Sequence, residues 1–349
     1  MDIMKKKRVA HIINSKIYSG LEKVVIRIMQ NMGKEYEMVY VTQDGPIVDI
    51  LKKNNIPYYI IKDMSRKEIK AFVKSWKPDI IQAHDYTASV VCSLSKGKIP
   101  LLLHIHNNSL WIKKVCVNTI AFLYAGIKAD KILTVSESIE KEYVFSRFLR
   151  KKFVNVDNPV SCSYITKNIP NNVEKIYDIC CVGRLTEAKD PDRFVEIIAK
   201  CCEKRPQLKA IWVGEGECRE QLEENIAKHK LENNILLLGY KENPYEYMAM
   251  SKIFVLTSKW EGYGLVAFEA LAAGLPCFVS NVGGLPKIVD DSSGKVCETN
   301  GDFQREIEKI LTDESLYIRK KNGAIQRAKK IENEPEYMKT LNDMYLKLL

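Results

Sequence analysis

Two glutamates eight residues apart, Glu261 and Glu269, bracket a glycine-bearing run, Glu261-Gly262-Tyr263-Gly264-Leu265. The apolar stretch before it, Ile253 to Thr257, reads as a buried parallel strand. The stretch after it, Leu265 to Ala273, reads as a helix that stops at Gly274 before Pro276. Strand, glycine loop and helix start, in that order, aim backbone N–H groups and the positive helix end at one point. A phosphate suits that point. Carboxylates repel phosphate, so Glu261 on the loop, and Glu269 about a turn and a half into the helix, are read as touching something bonded to it. The hydroxyls of a sugar or a ribose meet that requirement.

A second set of charges leaves another predicted strand, Tyr177–Val182, in the run Gly183-Arg184-Leu185-Thr186-Glu187-Ala188-Lys189-Asp190-Pro191. Arg184 and Lys189 stand at the carboxyl end of the strand, where doubly wound sheets bind ligands. Two cations there suit a diphosphate, the arginine donating in pairs, although exposed loops commonly carry such charges. Asp190-Pro191-Asp192 imitates a metal-binding acid pair. A proline following Asp190 at a helix start points instead to capping. Gly214-Glu215-Gly216-Glu217-Cys218-Arg219 imitates a dinucleotide fingerprint but has Arg219 in place of the third glycine, and apolar Leu236-Leu237-Leu238 where an acid should hold ribose. Near the start, Ser19-Gly20-Leu21-Glu22 opens an amphipathic helix, with Gly20 allowing close approach to backbone. His84 and His106 end the predicted strands Asp79–Ala83 and Leu101–His106, and His104 shares the side of His106 and reads as core. Five histidines and ten scattered cysteines offer no zinc spacing and no CxxC pair, so the thiols are expected reduced and no metal is expected.

The elements that position these residues alternate. Short apolar runs and helical patterns follow one another through 349 residues, the pattern of parallel α/β folds. Strands are predicted at Arg8–Asn14, Met38–Thr42, Tyr58–Ile61, Asp79–Ala83, Leu101–His106, Lys131–Val135 and Phe153–Val156. After a linker over 158–175 they resume at Tyr177–Val182, Lys209–Val213, Ile235–Leu238, Ile253–Thr257 and Pro276–Ser280. Helices follow from Gln304 to Leu349. The reading is two doubly wound domains, residues 1–157 and 176–330, facing across a ligand cleft, with a last segment over 331–349.

Composition narrows the class. Hydrophobic residues make up 46% of the chain, enough for sizeable cores. The longest apolar run, Val115 to Ile127, falls short of a membrane span and is flanked by Lys113, Lys114 and Lys128. With no signal-peptide pattern, a cytoplasmic protein is expected. The net charge of +10 is uneven: residues 1–160 hold 27 Lys and Arg against 15 Asp and Glu, an excess of 12. That half suits an anionic partner such as a membrane face; no nucleic-acid motif occurs.

Taken together, these pieces resemble the retaining family 4 glycosyltransferases, which use the two-domain GT-B architecture. The residues that carry the resemblance are Glu261 and Glu269 followed by Ala270-Leu271-Ala272-Ala273-Gly274-Leu275-Pro276 and Gly283-Gly284; Arg184 with Lys189; Gly239-Tyr240; and Pro78-Asp79-Ile80 with His84. The first-domain glycine motif departs from the family pattern in having Ser19 for its first glycine. The resemblance implies that Arg184 and Lys189 bind a donor diphosphate and stabilise the leaving group. It implies that Glu269 bonds ribose hydroxyls, and that Glu261 holds the transferred sugar together with the backbone amides of Gly262, Tyr263, Gly264 and Leu265. Gly20 would lie against the donor phosphates, His106 near sugar and acceptor, and the helix Pro335–Leu349 would cross back onto the first domain. It further implies a nucleotide-sugar donor, most simply a UDP-sugar; a lipid-linked or polysaccharide-precursor acceptor for cell-surface glycans; no metal cofactor; and a peripheral place at the inner membrane face. A sugar phosphorylase, a nucleotide-sugar epimerase and a silent scaffold subunit of the same architecture are the rival readings.

Overall fold

The computed structural model describes residues 6–107, 109–170 and 173–349. The chain forms two compact units, one from residues 1–159 with 333–349, the other from 160–332.

The first unit holds seven parallel strands: β1 (Arg8–Ile12), β2 (Glu37–Gln43), β3 (Tyr58–Ile61), β4 (Ile80–Ala83), β5 (Leu101–Ile105), β6 (Lys131–Thr134) and β7 (Phe153–Asn155). Their order is β3-β2-β1-β4-β5-β6-β7. The direction of winding reverses between β1 and β4, so the loops leaving those two strands splay apart and open a crevice at their carboxyl ends. β1, β4 and β5 are buried on both faces, which explains their unbroken apolar reading. Helix starts are capped as their sequences dictate. Ser65 accepts from Glu68 N at 3.3 Å, and Asp85 from Ala88 N at 2.7 Å, each such cap stabilising by about 1 kcal/mol. The helix Glu334–Leu348 packs in this unit: Arg27 pairs with Glu334, the Tyr36 hydroxyl donates to Asn342 at 2.6 Å, and the buried Tyr345 hydroxyl donates to Gln82.

The second unit holds six parallel strands: β8 (Tyr177–Val182), β9 (Ala210–Val213), β10 (Ile235–Gly239), β11 (Ser251–Leu256), β12 (Cys277–Ser280) and β13 (Gly294–Cys297). The order β10-β9-β8-β11-β12-β13 puts its reversal between β8 and β11. Trp212 is fully buried edge-on to Phe194, and its Nε1–H donates to the Gly183 carbonyl at 2.9 Å. The core thus fixes the first residue of the loop that carries Arg184 and Lys189.

Beyond small shifts of strand ends, the structure differs from the sequence reading at the linker and at one strand. The expected linker over 158–175 contains a helix, Cys162–Lys167, whose Ile165 is buried in the second unit. β13 escapes prediction because Gly294-Lys295-Val296-Cys297 is short and holds only two apolar residues in a row. All ten cysteines are free thiols.

Candidate active site

In the second unit the loops after β8 and β11 leave adjacent strands at the reversal. The first carries Arg184 and Lys189, the second Glu261 to Gly264. Lys189 Nζ forms an ion pair with Glu261 Oε2; each side chain is 17% exposed. Ser258 Oγ donates to the same carboxylate oxygen at 3.4 Å. The Thr257 hydroxyl ties the loops together, lying 3.0 Å from the carbonyls of both Lys189 and Asp190. Arg184 is exposed on its loop.

Glycines set this geometry. A Cβ on Gly214 would overlap the Gly183 carbonyl, and one on Gly216 the Leu185 carbonyl. Leu185 N donates to Glu215 O at 3.0 Å, and Cys218 N to Leu185 O at 3.0 Å. The dinucleotide-like glycines therefore clamp the Arg184 loop. Gly264, at φ +97, starts the helix Leu265–Ala272, whose first-turn N–H groups face out of the helix end. Gly283, at φ +55, is pressed so close that a Cβ would overlap the Glu261 carbonyl, and Gly284 N donates to Gly262 O at 2.9 Å. Gly262, Tyr263 and Gly264 are buried, and Leu265 is half-buried. Glu269 is also buried and accepts from the Tyr245 hydroxyl at 3.3 Å. The acid pair of the sequence reading splits: Asp192 accepts from Gln221 at 2.6 Å and Asn225 at 2.8 Å, while Asp190, at the start of the helix Pro191–Cys202, lies 3.7 Å from Lys259.

In the first unit, Gly20 is the exposed first residue of the helix Gly20–Met32. Ser19, which stands where the family pattern has glycine, is the N-cap, and the buried Glu22 carboxylate accepts from its backbone N–H at 2.8 Å and its hydroxyl at 2.6 Å. Sequence spacing missed what the carboxyl ends of β1, β4 and β5 assemble. Four of the five histidines meet on one sheet face. His11 Nδ1 lies 2.9 Å from His84 Nε2, and His84 Nδ1 lies 3.1 Å from His106 Nε2. His104 Nδ1 lies 3.1 Å from the Gln82 amide, and its ring centroid is 3.9 Å from that of His106. Burial lowers all four pKa values, to about 3 for His11 and His106 and well below the ordinary value for His84 and His104. All are therefore neutral at pH 7.

Residues 165–331 match the family described as Glycosyl transferases group 1, and residues 18–164 match Glycosyltransferase Family 4. The chain is 34% identical to the N-acetyl-alpha-D-glucosaminyl L-malate synthase of Bacillus anthracis, over 68% of this chain and 67% of the relative. It is 26% identical to an Escherichia coli UDP-Gal:alpha-D-GlcNAc-diphosphoundecaprenol alpha-1,3-galactosyltransferase, over 91% of each. Among solved structures it matches HepE of Anabaena in complex with UDP-glucose, with a TM-score of 0.84 and 19% identity over 97% of this chain and 99% of the other.

Proposed function

This chain belongs to glycosyltransferase family 4, and from that premise we propose that it is a retaining enzyme using a UDP-sugar to extend a lipid-linked or polysaccharide-precursor acceptor in cell-surface glycan synthesis. It is a glycosyltransferase, and its two parallel α/β units are those of the GT-B architecture. The observation that carries the proposal is the Lys189–Glu261 pair beside the Gly264 helix start. In this reading the donor diphosphate takes over Lys189 Nζ, and Glu261, released from it, accepts from hydroxyls of the transferred sugar. Departure of the nucleoside diphosphate builds negative charge, which Lys189, Arg184 and the helix N-terminus stabilise in place. The donor needs no divalent ion for that purpose, and turnover should persist in chelator without added Mg²⁺ or Mn²⁺. HepE bound to UDP-glucose and the UDP-Gal relative support the donor class; the diphosphoundecaprenol acceptor of that relative supports the lipid-linked one. A panel of nucleotide sugars, screened for thermal stabilisation and slow hydrolysis, tests the reading. A protein that answers to none of them is the silent scaffold instead.

The two glutamates should part company in binding. Glu269→Ala should weaken UDP by about 1–3 kcal/mol, the cost of losing a charged hydrogen bond to ribose. Glu261→Gln should leave UDP as tight or tighter, because Lys189 loses its internal partner, while transfer falls. Calorimetry with UDP and turnover with the sugar donor separate the roles; equal loss of UDP affinity in both variants would refute the division.

The acceptor reading draws support from the helix Val117–Lys128. Val117, Ile120, Tyr124 and Ile127, at helical spacing, expose their side chains, Val117 at 81%, and Phe148 is exposed at 59%. Lys113, Lys114, Lys128 and Arg147 accompany them. Apolar residues beside lysines are what an interfacial helix offers an anionic bilayer. Among the described residues no helix is long and apolar enough to cross one. The protein should sediment with anionic vesicles at low salt and release as salt rises. Val117→Asp with Ile120→Asp should abolish this without changing UDP affinity. Indifference to anionic vesicles at low salt would favour a soluble acceptor.

A further inference from the structure

We propose that the histidine cluster of the first unit binds a divalent transition metal, zinc or a close chemical relative, through His84, His104 and His106. One ring nitrogen of each lies within 4.8 Å of the other two. His84 Nδ1 and His106 Nε2, 3.1 Å apart, stand close to the separation of about 3.3 Å that two ligands at ~2.0–2.1 Å make on tetrahedral zinc. His104 Nε2 is buried and has no hydrogen-bond partner among the described residues. A modest swing of the His104 ring closes the set, and three imidazoles leave a fourth position for water.

The surroundings are those of ligands held from behind. His84 Nε2 is backed by His11, and His104 Nδ1 by the Gln82 amide, itself bonded to Tyr345. Asn158 sits beside His106 and opposes the effect of burial on it. Such outer partners fix which nitrogen carries the hydrogen. A hydrogen on His84 Nε2 is accepted by His11 Nδ1. One on His104 Nδ1 is accepted by the Gln82 carbonyl oxygen once that amide is turned by half a turn, and the amide nitrogen then donates to the Tyr345 hydroxyl, reversing the bond between those two side chains. One on His106 Nδ1 leaves Nε2 as the free lone pair of that ring. The three nitrogens that face one another then all present lone pairs.

Without a metal the accounting is worse. Among the described residues His11 Nε2, His104 Nε2 and His106 Nδ1 all lack partners. With one, His104 Nε2 gains a bond. Neutral rings are the ligating form. Nitrogen-only ligands favour Zn²⁺, Ni²⁺ or Cu²⁺ over Mg²⁺. Occupancy engages His106 Nε2 and leaves Nδ1 as the nitrogen of that ring open to other work.

The test uses the full chain stripped of metal by chelator. Titration with Co²⁺ should give visible absorption of a four- or five-coordinate site saturating at one equivalent, and Zn²⁺ should displace it. His104→Ala should abolish that signal, and His11→Asn should weaken binding by about 10–100-fold. His229→Ala, at the exposed fifth histidine, should change nothing. If His104→Ala fails to fold, His106→Ala at the half-buried edge carries the same test. Absence of Co²⁺ binding to the wild-type chain, or binding that survives loss of His106 and His104, would overturn the site and leave a chain of hydrogen-bonded imidazoles.

Discussion

Lys189→Ala should lower the rate of transfer by about 10²-fold or more, and Arg184→Ala should do likewise, the usual scale for removing one preset stabiliser of developing charge. Lys189 is the better positioned of the two. Its stem lies against Gly183, where a Cβ would come within 3.3 Å of Cε, and its head is held by Glu261. It therefore loses little freedom when a diphosphate arrives. Arg184 is exposed, so its contribution includes the entropy of being ordered by the donor. Both leave from a loop whose backbone is tied to Glu215 and Trp212, so each variant should fold with wild-type cooperativity. Steady-state kinetics with the donor that emerges from the nucleotide-sugar panel decides the matter. Near-normal turnover in both variants would remove the diphosphate from this loop.

Gly283→Ala should be as damaging without touching any charged group. Its new methyl would overlap the Glu261 carbonyl, and its φ of +55 is unfavourable for alanine. Relief requires the Glu261–Tyr263 backbone to move, and a misplacement of about 1 Å at a reacting centre can cost about 10²-fold. Gly97→Ala is the control. Gly97 has a comparable φ of +60 with nothing within 4 Å of the added carbon. It should lower stability by about 1–2 kcal/mol and leave kcat intact. Thermal melts and kinetics on the two variants separate backbone strain from loop displacement. Equal effects of both on kcat would show that the Glu261 loop does not depend on its close contact with Gly283.

Sequence made the parallel sheets legible because strands buried on both faces read as unbroken apolar runs. Tyr58–Ile61 and Tyr177–Val182 were expected with the ends they have. Elsewhere ends drift by a residue or two, since a run such as Arg8–Asn14 stays apolar through Ile13 after the ladder has ended at Ile12. β13 was lost because Gly294-Lys295-Val296-Cys297 holds only two apolar residues in a row. The loops bearing Arg184, Lys189, Glu261 and Gly264 could be found, since each follows a readable strand. The Lys189–Glu261 contact could not: the two residues are 72 positions apart and meet through the adjacency of β8 and β11. The histidine cluster was hidden for the same reason. His11 and His104 lie in β1 and β5 and His84 just after β4, three strands whose neighbourhood is a matter of topology, although equal parity of His84, His104 and His106 hinted at a shared face. In the helix Val117–Lys128 the sequence shows an apolar run flanked by lysines but not its two faces: Phe122 and Ala125 are buried while Val117, Ile120, Tyr124 and Ile127 are exposed.

The helix Glu334–Leu348 gives the first unit a dependence on time. The second unit is one continuous stretch, residues 160–332, and has all its strands in hand before synthesis of the last helix begins. The first unit does not. The Tyr345–Gln82 bond spans 263 positions, and Tyr36 and Arg27 likewise await residues beyond 333. On a ribosome adding about 5–20 residues per second, the apolar face around Gln82 and the histidines stays uncovered for many seconds after its sheet has emerged. The first unit's sheet thus completes its core only after the whole of the second unit has been made, once the helix Glu334–Leu348 has emerged.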